Sequence, residues 1–309
     1  MQFYTLHFRN KMYNNNINFN KNSLTFEEVI LMKSFKKLMS TLLGATLLIG
    51  MLGGCGSSQS RLDQIKEAGV LTMATSPDFA PMEFEDISSG ETKYVGSDIE
   101  LGKYIAEQLG VELEIQAMDF SAVQAAVTSG QADIAISGFA KTEDRAESME
   151  LSDFYGMEES DGKGQGLLVP ADQVDNYTST EDFSGKLIGA QNGSLQYNLV
   201  TSQLPDAEIE LVSSLNDGLL MLQTGKIDAL AVSGDNGEMF ELNYDSVAMS
   251  GFYFDYQSEG NVVAAKKGET ELMEAINEII ADVNEQGLYL QWKEEATELA
   301  KSLGIEVDE

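Results

Sequence analysis

The 309-residue chain contains a single cysteine, a single histidine, a single tryptophan and four prolines. The lone cysteine, Cys55, excludes both a disulfide framework within one chain and a metal site built from several cysteines. The lone histidine, His7, lies in a segment that we expect to be absent from the mature protein, so the usual general base and the commonest transition-metal ligand are missing. We therefore predict no metal site and no cofactor.

Positive charge is also scarce, since 19 Lys and Arg stand against 51 Asp and Glu, a formal net charge of −32 at pH 7. Such a protein would repel a phosphate backbone, which excludes nucleic acid as a partner. Two interpretations of the acidity stay open, a solvated acidic surface or an attraction for cationic solutes. The length allows two compact units rather than one.

A segment beginning at Met32 has the pattern of a secretion signal. Three lysines precede an apolar run over residues 38–52 that is too short for a stable membrane span. Leu-Gly-Gly-Cys at 52–55 resembles the box at which bacterial lipoproteins are cleaved and diacylglycerylated on the cysteine. The alternative is an ordinary signal peptide that happens to contain a cysteine.

The first 61 residues therefore divide into three predicted segments. Residues 1–31 are rich in Asn, fit no secretory pattern and are interpreted as an upstream segment from a start codon assigned too early. Residues 32–54 are the predicted lipoprotein signal peptide, and residues 55–61 are the lipidated Cys55 with a flexible, Ser-rich tether.

Beyond the tether, short apolar runs alternate with amphipathic stretches, which predicts an α/β fold with parallel sheets. Strands are expected at 70–74 and 111–115, and helices at 97–109 and, opened by a good N-cap, at 121–128. One pattern occurs twice: a helix end, Gly, two residues, Asp, an apolar strand and Ser-Gly, at 129–138 and 224–234. Ligands of such sheets bind beyond the carboxyl ends of the strands, so both Ser-Gly pairs should face one cleft. The alternative interpretation is that this repeated pattern is common to α/β proteins in general and does not indicate two related lobes.

Eight short motifs then occur in an order that resembles a known family. They are Gly69-Val70-Leu71, Ser76 to Phe84 (SPDFAPMEF), Val95 to Leu101 (VGSDIEL), Ser129 to Asp133 (SGQAD), Thr142 to Arg145 (TEDR), Leu151 to Tyr155 (LSDFY), Gln191 to Gln196 (QNGSLQ) and Thr224 to Ala229 (TGKIDA). Together they resemble the amino-acid-binding proteins of polar amino-acid ABC importers, bacterial extracellular solute-binding protein family 3, in lipoprotein form. The resemblance covers residues 62–304.

The resemblance implies a periplasmic-binding-protein-like fold, in which two similar α/β lobes are joined by two crossing strands around a ligand cleft. We expect lobe 1 to comprise residues 62–166 plus 256–309 and lobe 2 residues 167–255, with crossings near 166–169 and 252–260. The chain would be a non-enzymatic, monomeric receptor on the extracytoplasmic face of a Gram-positive cell. Its palmitate-bearing anchor on Cys55 would hold it at the membrane, and its partners would be an amino acid and the ABC permease.

The family's carboxylate-binding arginine corresponds to Arg145, whose planar fork can form two charge-assisted bonds to a carboxylate. A surface arginine paired with a neighbouring acid is the alternative. Backbone N–H groups of Gly193, Ser194 and Leu195 would hold the carboxylate from the other side, unless Ser194 is a plain N-cap. The family often has a hydroxyl where Leu195 stands.

Phe79 and Phe120 match the positions where the family stacks aromatic rings on the solute, although core packing competes for Phe120. Ser137 and Gly138 would lie in the cleft, where the Gly138 carbonyl could accept from the solute's ammonium. Ala140 lacks the hydroxyl that the family usually offers to this ammonium.

A second departure is Ser233, which stands where many members carry an ammonium-binding Asp. Either the nearby Asp235 reaches the ammonium or the solute is not a standard α-amino acid, unless Asp235 is simply a solvated loop acid. In the side-chain pocket, an acid among Ser76, Asp78 and Glu83 would favour a cationic solute. The rival functions are a cyclohexadienyl or arogenate dehydratase on the same fold and a sensing domain for amino-acid-like ligands.

Overall fold

The computed structural model describes residues 59–156, 164–257 and 260–303. The predicted upstream segment, the signal peptide and the anchor at Cys55 lie outside these residues. Within them, no helix is both long enough and apolar enough to cross a membrane. The helices are α1 Arg61–Ala68, α2 Ser97–Leu109, α3 Phe120–Ser129, α4 Glu143–Ser148, α5 Leu195–Gln203, α6 Leu215–Gln223, α7 Gly234–Asn243, α8 Thr270–Gln286 and α9 Leu288–Ser302, with 3₁₀ turns at Ala171–Asn176 and Thr180–Phe183.

The strands form two five-stranded sheets and one small sheet of three strands. They are β1 Val70–Thr75, β2 Asp78–Phe79, β3 Glu83–Asp86, β4 Lys93–Val95, β5 Glu112–Ala117, β6 Ile134–Ala135, β7 Met149–Leu151, β8 Gln165–Pro170, β9 Leu187–Gln191, β10 Glu208–Val212, β11 Ala229–Ser233, β12 Val247–Tyr253 and β13 Ala264–Lys266. The first sheet has the order β5-β1-β6-β13-β7, the second β10-β9-β11-β8-β12, and the small sheet β2-β3-β4.

The two large sheets confirm the predicted two-lobe fold. The first sheet is split in sequence, because β13 returns to it after the chain has built the whole second sheet. We call the elements around the first sheet lobe 1 and those around the second sheet lobe 2. The residue boundaries predicted for the lobes stay a prediction, although β8 already belongs to the second sheet at Gln165.

The expected parallel strands are present, but each sheet also contains antiparallel pairs, which the sequence analysis did not predict. Each sheet has a parallel trio, β5-β1-β6 or β10-β9-β11, to which two strands add in mixed orientation. The β6–β13 and β11–β8 pairs are antiparallel.

Helix α8 packs against the lobe 1 core through one apolar face. Its buried side chains recur at helical spacing and lie in the lobe 1 core; they are Leu272, Met273, Ile276, Ile280 and Val283. Each such burial contributes roughly 1.5–3 kcal/mol before the cost of chain ordering. The helix ends at Gly287, whose left-handed conformation suits a residue without a Cβ.

The repeated motifs at 129–138 and 224–234 occupy equivalent places in the two lobes. A carboxylate oxygen of Asp133 accepts the N–H of Thr72 in β1 at 2.8 Å, and one of Asp228 accepts the N–H of Leu187 in β9 at 2.9 Å. Both aspartates thus tie a loop to the start of the neighbouring parallel strand. Arg61 pairs with Asp133, which places Arg61 in lobe 1 rather than in the predicted tether.

Candidate ligand-binding site

A cavity of about 540 Å³ lies between the two lobes and collects most of the predicted site residues. Those that line it are Phe79, Phe120, Ser137, Gly138, Ala140, Arg145, Ser194, Leu195, Ser233 and Asp235. Gly193 is not part of the lining, but its carbonyl contacts Arg145. Both Ser-Gly pairs therefore face the same cleft, as the repeated pattern predicts.

Arg145 is buried at the base of this cavity, with 6% of its surface exposed. It lies in the first turn of α4, whose N-cap Thr142 accepts the N–H of Arg145. Its Nη1 donates to the carbonyl of Ala140 at 2.8 Å, and its Nη2 donates to the carbonyl of Gly193, in lobe 2, at 3.1 Å. The alternative of a surface arginine paired with a neighbouring acid is wrong.

The guanidinium group of Arg145 is held by two aromatic rings rather than by an acid. Its central carbon lies 4.9 Å from the ring centre of Phe139 and 5.4 Å from that of Phe120. No carboxylate of the described residues forms an ion pair with it. Burial lowers the pKa of Arg145 to about 10, so the group stays charged at neutral pH. A buried cation without an anion is costly, which makes the site suited to an incoming carboxylate.

The amino end of α5 faces the same cavity. Ser194 is the N-cap of α5, and its Oγ accepts the N–H of Tyr197 at 3.0 Å, so its capping role is real. The first N–H groups of a helix, here those of Leu195 and Gln196, have no acceptor within the helix. Since both residues line the cavity, this end of α5 can receive a carboxylate opposite Arg145.

The two predicted aromatic residues differ in their surroundings. Phe79 is half-buried and lines the cavity, where its ring contacts Gly138 so closely that a Cβ at Gly138 would lie 3.1 Å from Cε1. Phe120 belongs to a core cluster, with its ring centre 5.1 Å from that of Phe139, and also lines the cavity. Core packing and cavity lining are thus not exclusive for Phe120. The residue begins α3, whose N-cap Asp119 forms no side-chain capping bond, contrary to the expected good N-cap.

Two buried carboxyl groups, which the sequence analysis did not place together, lie next to each other at the site: Glu83 lines the cavity, whereas Asp98 is not part of its lining. Glu83 is 1% exposed and Asp98 is fully buried. Ser137 donates its hydroxyl to Glu83 Oε1 at 2.8 Å, whereas Glu83 Oε2 has no partner among the described residues. Burial, reinforced by the nearby charge of Asp98, raises the pKa of Glu83 well above its ordinary value.

Asp98 is surrounded by hydrogen-bond donors. It accepts the N–H of Gly138 at 2.8 Å, the hydroxyl of Tyr155 at 3.0 Å and the hydroxyl of Tyr289 at 2.7 Å. Burial still raises the pKa of Asp98. In the sequence, Asp98 is indistinguishable from any acid in the first turn of a helix, so no local signal could have revealed this network.

Ser233 and Asp235 lie on the lobe 2 side. Ser233 caps α7, accepting the N–H of Asn236 at 3.2 Å and donating to its Oδ1 at 2.6 Å. Asp235 lies in the first turn of α7 rather than in a solvated loop. Its carboxylate lies 3.2 Å from Nζ of Lys293, a residue of α9 that the sequence analysis missed.

Comparison with known proteins gives consistent results. The family model for bacterial extracellular solute-binding proteins, family 3, matches residues 71–298. The arginine-binding extracellular protein ArtP of Bacillus subtilis (strain 168) is 28% identical over 251 residues, covering 80% of this chain and 92% of that protein.

Two solved structures are informative. The amino acid ABC transporter substrate-binding protein AbpA from Streptococcus pneumoniae Canada MDR_19A, bound to L-arginine, is 34% identical, with a TM-score of 0.72, and the match covers 79% of this chain and 99% of that chain. The ancestral amino-acid-binding protein AncCDT-1, a precursor of cyclohexadienyl dehydratase, is 27% identical, with a TM-score of 0.67 and coverage of 76% and 99%.

Proposed function

Because this chain belongs to the bacterial extracellular solute-binding proteins of family 3, we propose that it captures a polar or cationic amino acid and delivers it to the permease of an ABC importer. The observation that carries this proposal is Arg145, a buried guanidinium that lies between two lobes and pairs with no described carboxylate. The α-carboxylate of an amino acid supplies the missing anion, and the amino end of α5 supplies donors on its other side.

The opposite wall of the cavity favours a cationic side chain. Glu83 lines the cavity there, and the charge of the buried Asp98 lies close to it. A guanidinium or ammonium group that reaches Glu83 would be attracted by both acids and would favour the ionised form of Glu83. The arginine-binding name of ArtP and the L-arginine bound to AbpA support the same preference.

In the proposed mechanism, the solute first binds to lobe 1 at Phe79, Phe120, Gly138 and Arg145. Closure of the lobes then brings Ser194 and the Ser233–Asp235 segment across it, and the permease recognises the closed form. The ammonium of the solute would donate to the Gly138 carbonyl and would also be attracted by the carboxylate of Asp235, which forms an ion pair with Lys293.

The direct test is isothermal titration calorimetry of residues 56–309 with each common amino acid. Binding of arginine, lysine or ornithine, with weaker binding of uncharged amino acids, would support the proposal. Absence of binding by every amino acid would contradict it. The titration needs no permease, so it tests capture separately from transport.

A second candidate, a cyclohexadienyl or arogenate dehydratase, is favoured by one observation. Such an enzyme needs a carboxylic acid that can donate a proton inside the cleft, and burial raises the pKa of the cavity-lining Glu83, which favours its protonated form. AncCDT-1 is itself described as an amino-acid-binding protein and a precursor of such an enzyme, so the likeness to it is compatible with either function. Turnover of arogenate or prephenate by the purified protein would overturn the receptor proposal.

The lipid anchor at Cys55 is a separate part of the proposal. A receptor that feeds a membrane permease gains from being held at the membrane, and one acyl-bearing cysteine after a signal peptide provides this. Mass spectrometry of the mature amino terminus should find a diacylglyceryl-modified Cys55. A soluble mature protein that lacks this modification would contradict the anchor and leave the binding proposal untouched.

A further inference from the structure

Asp78 connects the two lobes directly beside the cavity. It belongs to β2 in the small sheet of lobe 1, where its Oδ1 accepts the hydroxyl of Ser76 at 2.9 Å. Its Oδ2 accepts two donors from lobe 2: Nε2 of Gln191 at 3.0 Å and the backbone N–H of Leu215 at 2.9 Å. One carboxylate is thus bound by both lobes at once.

The lobe 2 partner of Asp78 is the amino end of a helix. Leu215 is the first residue of α6, which Ser214 caps by accepting the N–H of Asp217. The first N–H groups of a helix lack acceptors within the helix and carry the positive end of its dipole. A carboxylate is therefore a fitting partner for this end of α6, and here the partner comes from the opposite lobe.

These hydrogen bonds leave Asp78 little capacity to bind a ligand. An ionised carboxylate offers about four acceptor positions, and protein donors occupy three of those of Asp78. Asp78 lines the site cavity and also a neighbouring cavity of about 580 Å³. Among the described residues, Asp78 and Ser76 are the two that line both cavities, so this segment forms the wall between them.

A neighbouring contact reinforces the connection. Nδ2 of Asn236, in α7 of lobe 2, donates to the carbonyl of Ala80, two residues after Asp78, at 3.2 Å. Separation of the lobes would break the bonds of Asp78 to Gln191 and Leu215, because their donors belong to the second sheet and its helix.

We propose that Asp78 is an interlobe latch, which stabilises the closed form by binding the amino end of α6, and that it does not select the charge of the solute. The inference rests on the proposed function in assuming that the two lobes open and close around a solute. It corrects the expectation that Asp78 is one of the acids favouring a cationic side chain. Asp78 is a positioning residue, since it acts on the solute only through lobe closure.

The test compares Asp78→Ala and Asp78→Asn with wild type in residues 56–309. Small-angle X-ray scattering of the ligand-free protein should give a larger radius of gyration for Asp78→Ala, and a smaller increase for Asp78→Asn, which keeps one acceptor oxygen. In calorimetry, Asp78→Ala should weaken arginine and glutamine by the same factor, about fivefold or more, because closure is common to both ligands. Circular dichroism checks that both variants fold.

Asp86→Ala is the matched control. Asp86 lies in the same small sheet, and its carboxylate accepts the N–H of Ser88 within lobe 1, so the same charge is removed without any bond between lobes. It should leave the scattering and both affinities unchanged. An unchanged radius of gyration for Asp78→Ala, or a loss of affinity confined to arginine, would overturn the latch. If wild type binds no amino acid, the proposed function fails, whereas the scattering comparison still decides the latch.

Discussion

Replacing Arg145 with alanine removes the guanidinium on which the ligand-binding proposal depends. The side chain is buried, and its described partners are the carbonyls of Ala140 and Gly193 and the rings of Phe120 and Phe139. A carboxylate bound in the cavity of the variant would be desolvated without its cation. We therefore expect the variant to lose affinity for every α-amino acid, whatever its side chain.

The size of the loss follows from the geometry. An arginine fork can form two parallel charge-assisted hydrogen bonds to a carboxylate, each contributing roughly 1.5–3 kcal/mol. Two such bonds give about 3–6 kcal/mol, and since each 1.4 kcal/mol is a factor of ten, the dissociation constant should rise by more than about 100-fold. Arg145→Lys keeps the positive charge but not the planar guanidinium, so its loss of affinity should be smaller than that of Arg145→Ala.

Calorimetric titration of residues 56–309 with arginine measures this change directly. Lys141→Ala is the matched control, because Lys141 is an exposed cation four residues away whose ammonium lies 5.1 Å from the ring centre of Phe154. Its removal should leave the affinity unchanged. Thermal unfolding of the ligand-free proteins separates loss of binding from loss of folding. A loss of less than about threefold for Arg145→Ala, in a folded protein, would refute the reasoning.

Three further changes test the surroundings of the site. Burial beside Asp98 raises the pKa of Glu83 well above 4.5. The contribution of Glu83 to the free energy of unfolding is therefore complete below pH 4.5 and is lost as the pH rises through its folded-state pKa. Urea titrations should accordingly find Glu83→Gln increasingly stable relative to wild type as the pH rises. Gly138→Ala places a Cβ on a residue whose φ of +55° is left-handed and whose nearest neighbour is the ring of Phe79. It should lower the free energy of unfolding by more than the roughly 1–2 kcal/mol expected of Gly225→Ala, since Gly225 has a similar φ but no atom within 4 Å of its Cβ position. Tyr155→Phe removes a hydroxyl donor from a buried carboxylate and should lower the free energy of unfolding by about 1–3 kcal/mol in the same titrations; an unchanged value would contradict that bond.

The helices were the most predictable part of the fold. The expected helix at 97–109 has those bounds in the structure, because a glycine follows its last residue and apolar residues recur along it at helical spacing. Strand direction was less predictable. The sheets are mixed rather than parallel, since an apolar run of strand length is compatible with either direction and only the route of the chain between lobes decides it.

The sequence by itself determined the family, the two-lobe fold and the position of Arg145, because each depends on residue types at fixed spacings along the chain. Only the tertiary structure decided the partners of the acids. Glu83 lies beside the buried Asp98, whereas Asp78 binds the amino end of a helix more than a hundred residues away. Whether a carboxylate binds a ligand, a side chain of its own lobe or a group of the other lobe depends on which hydrogen-bond donors surround it in space. The spacing of residues along the chain does not specify those donors.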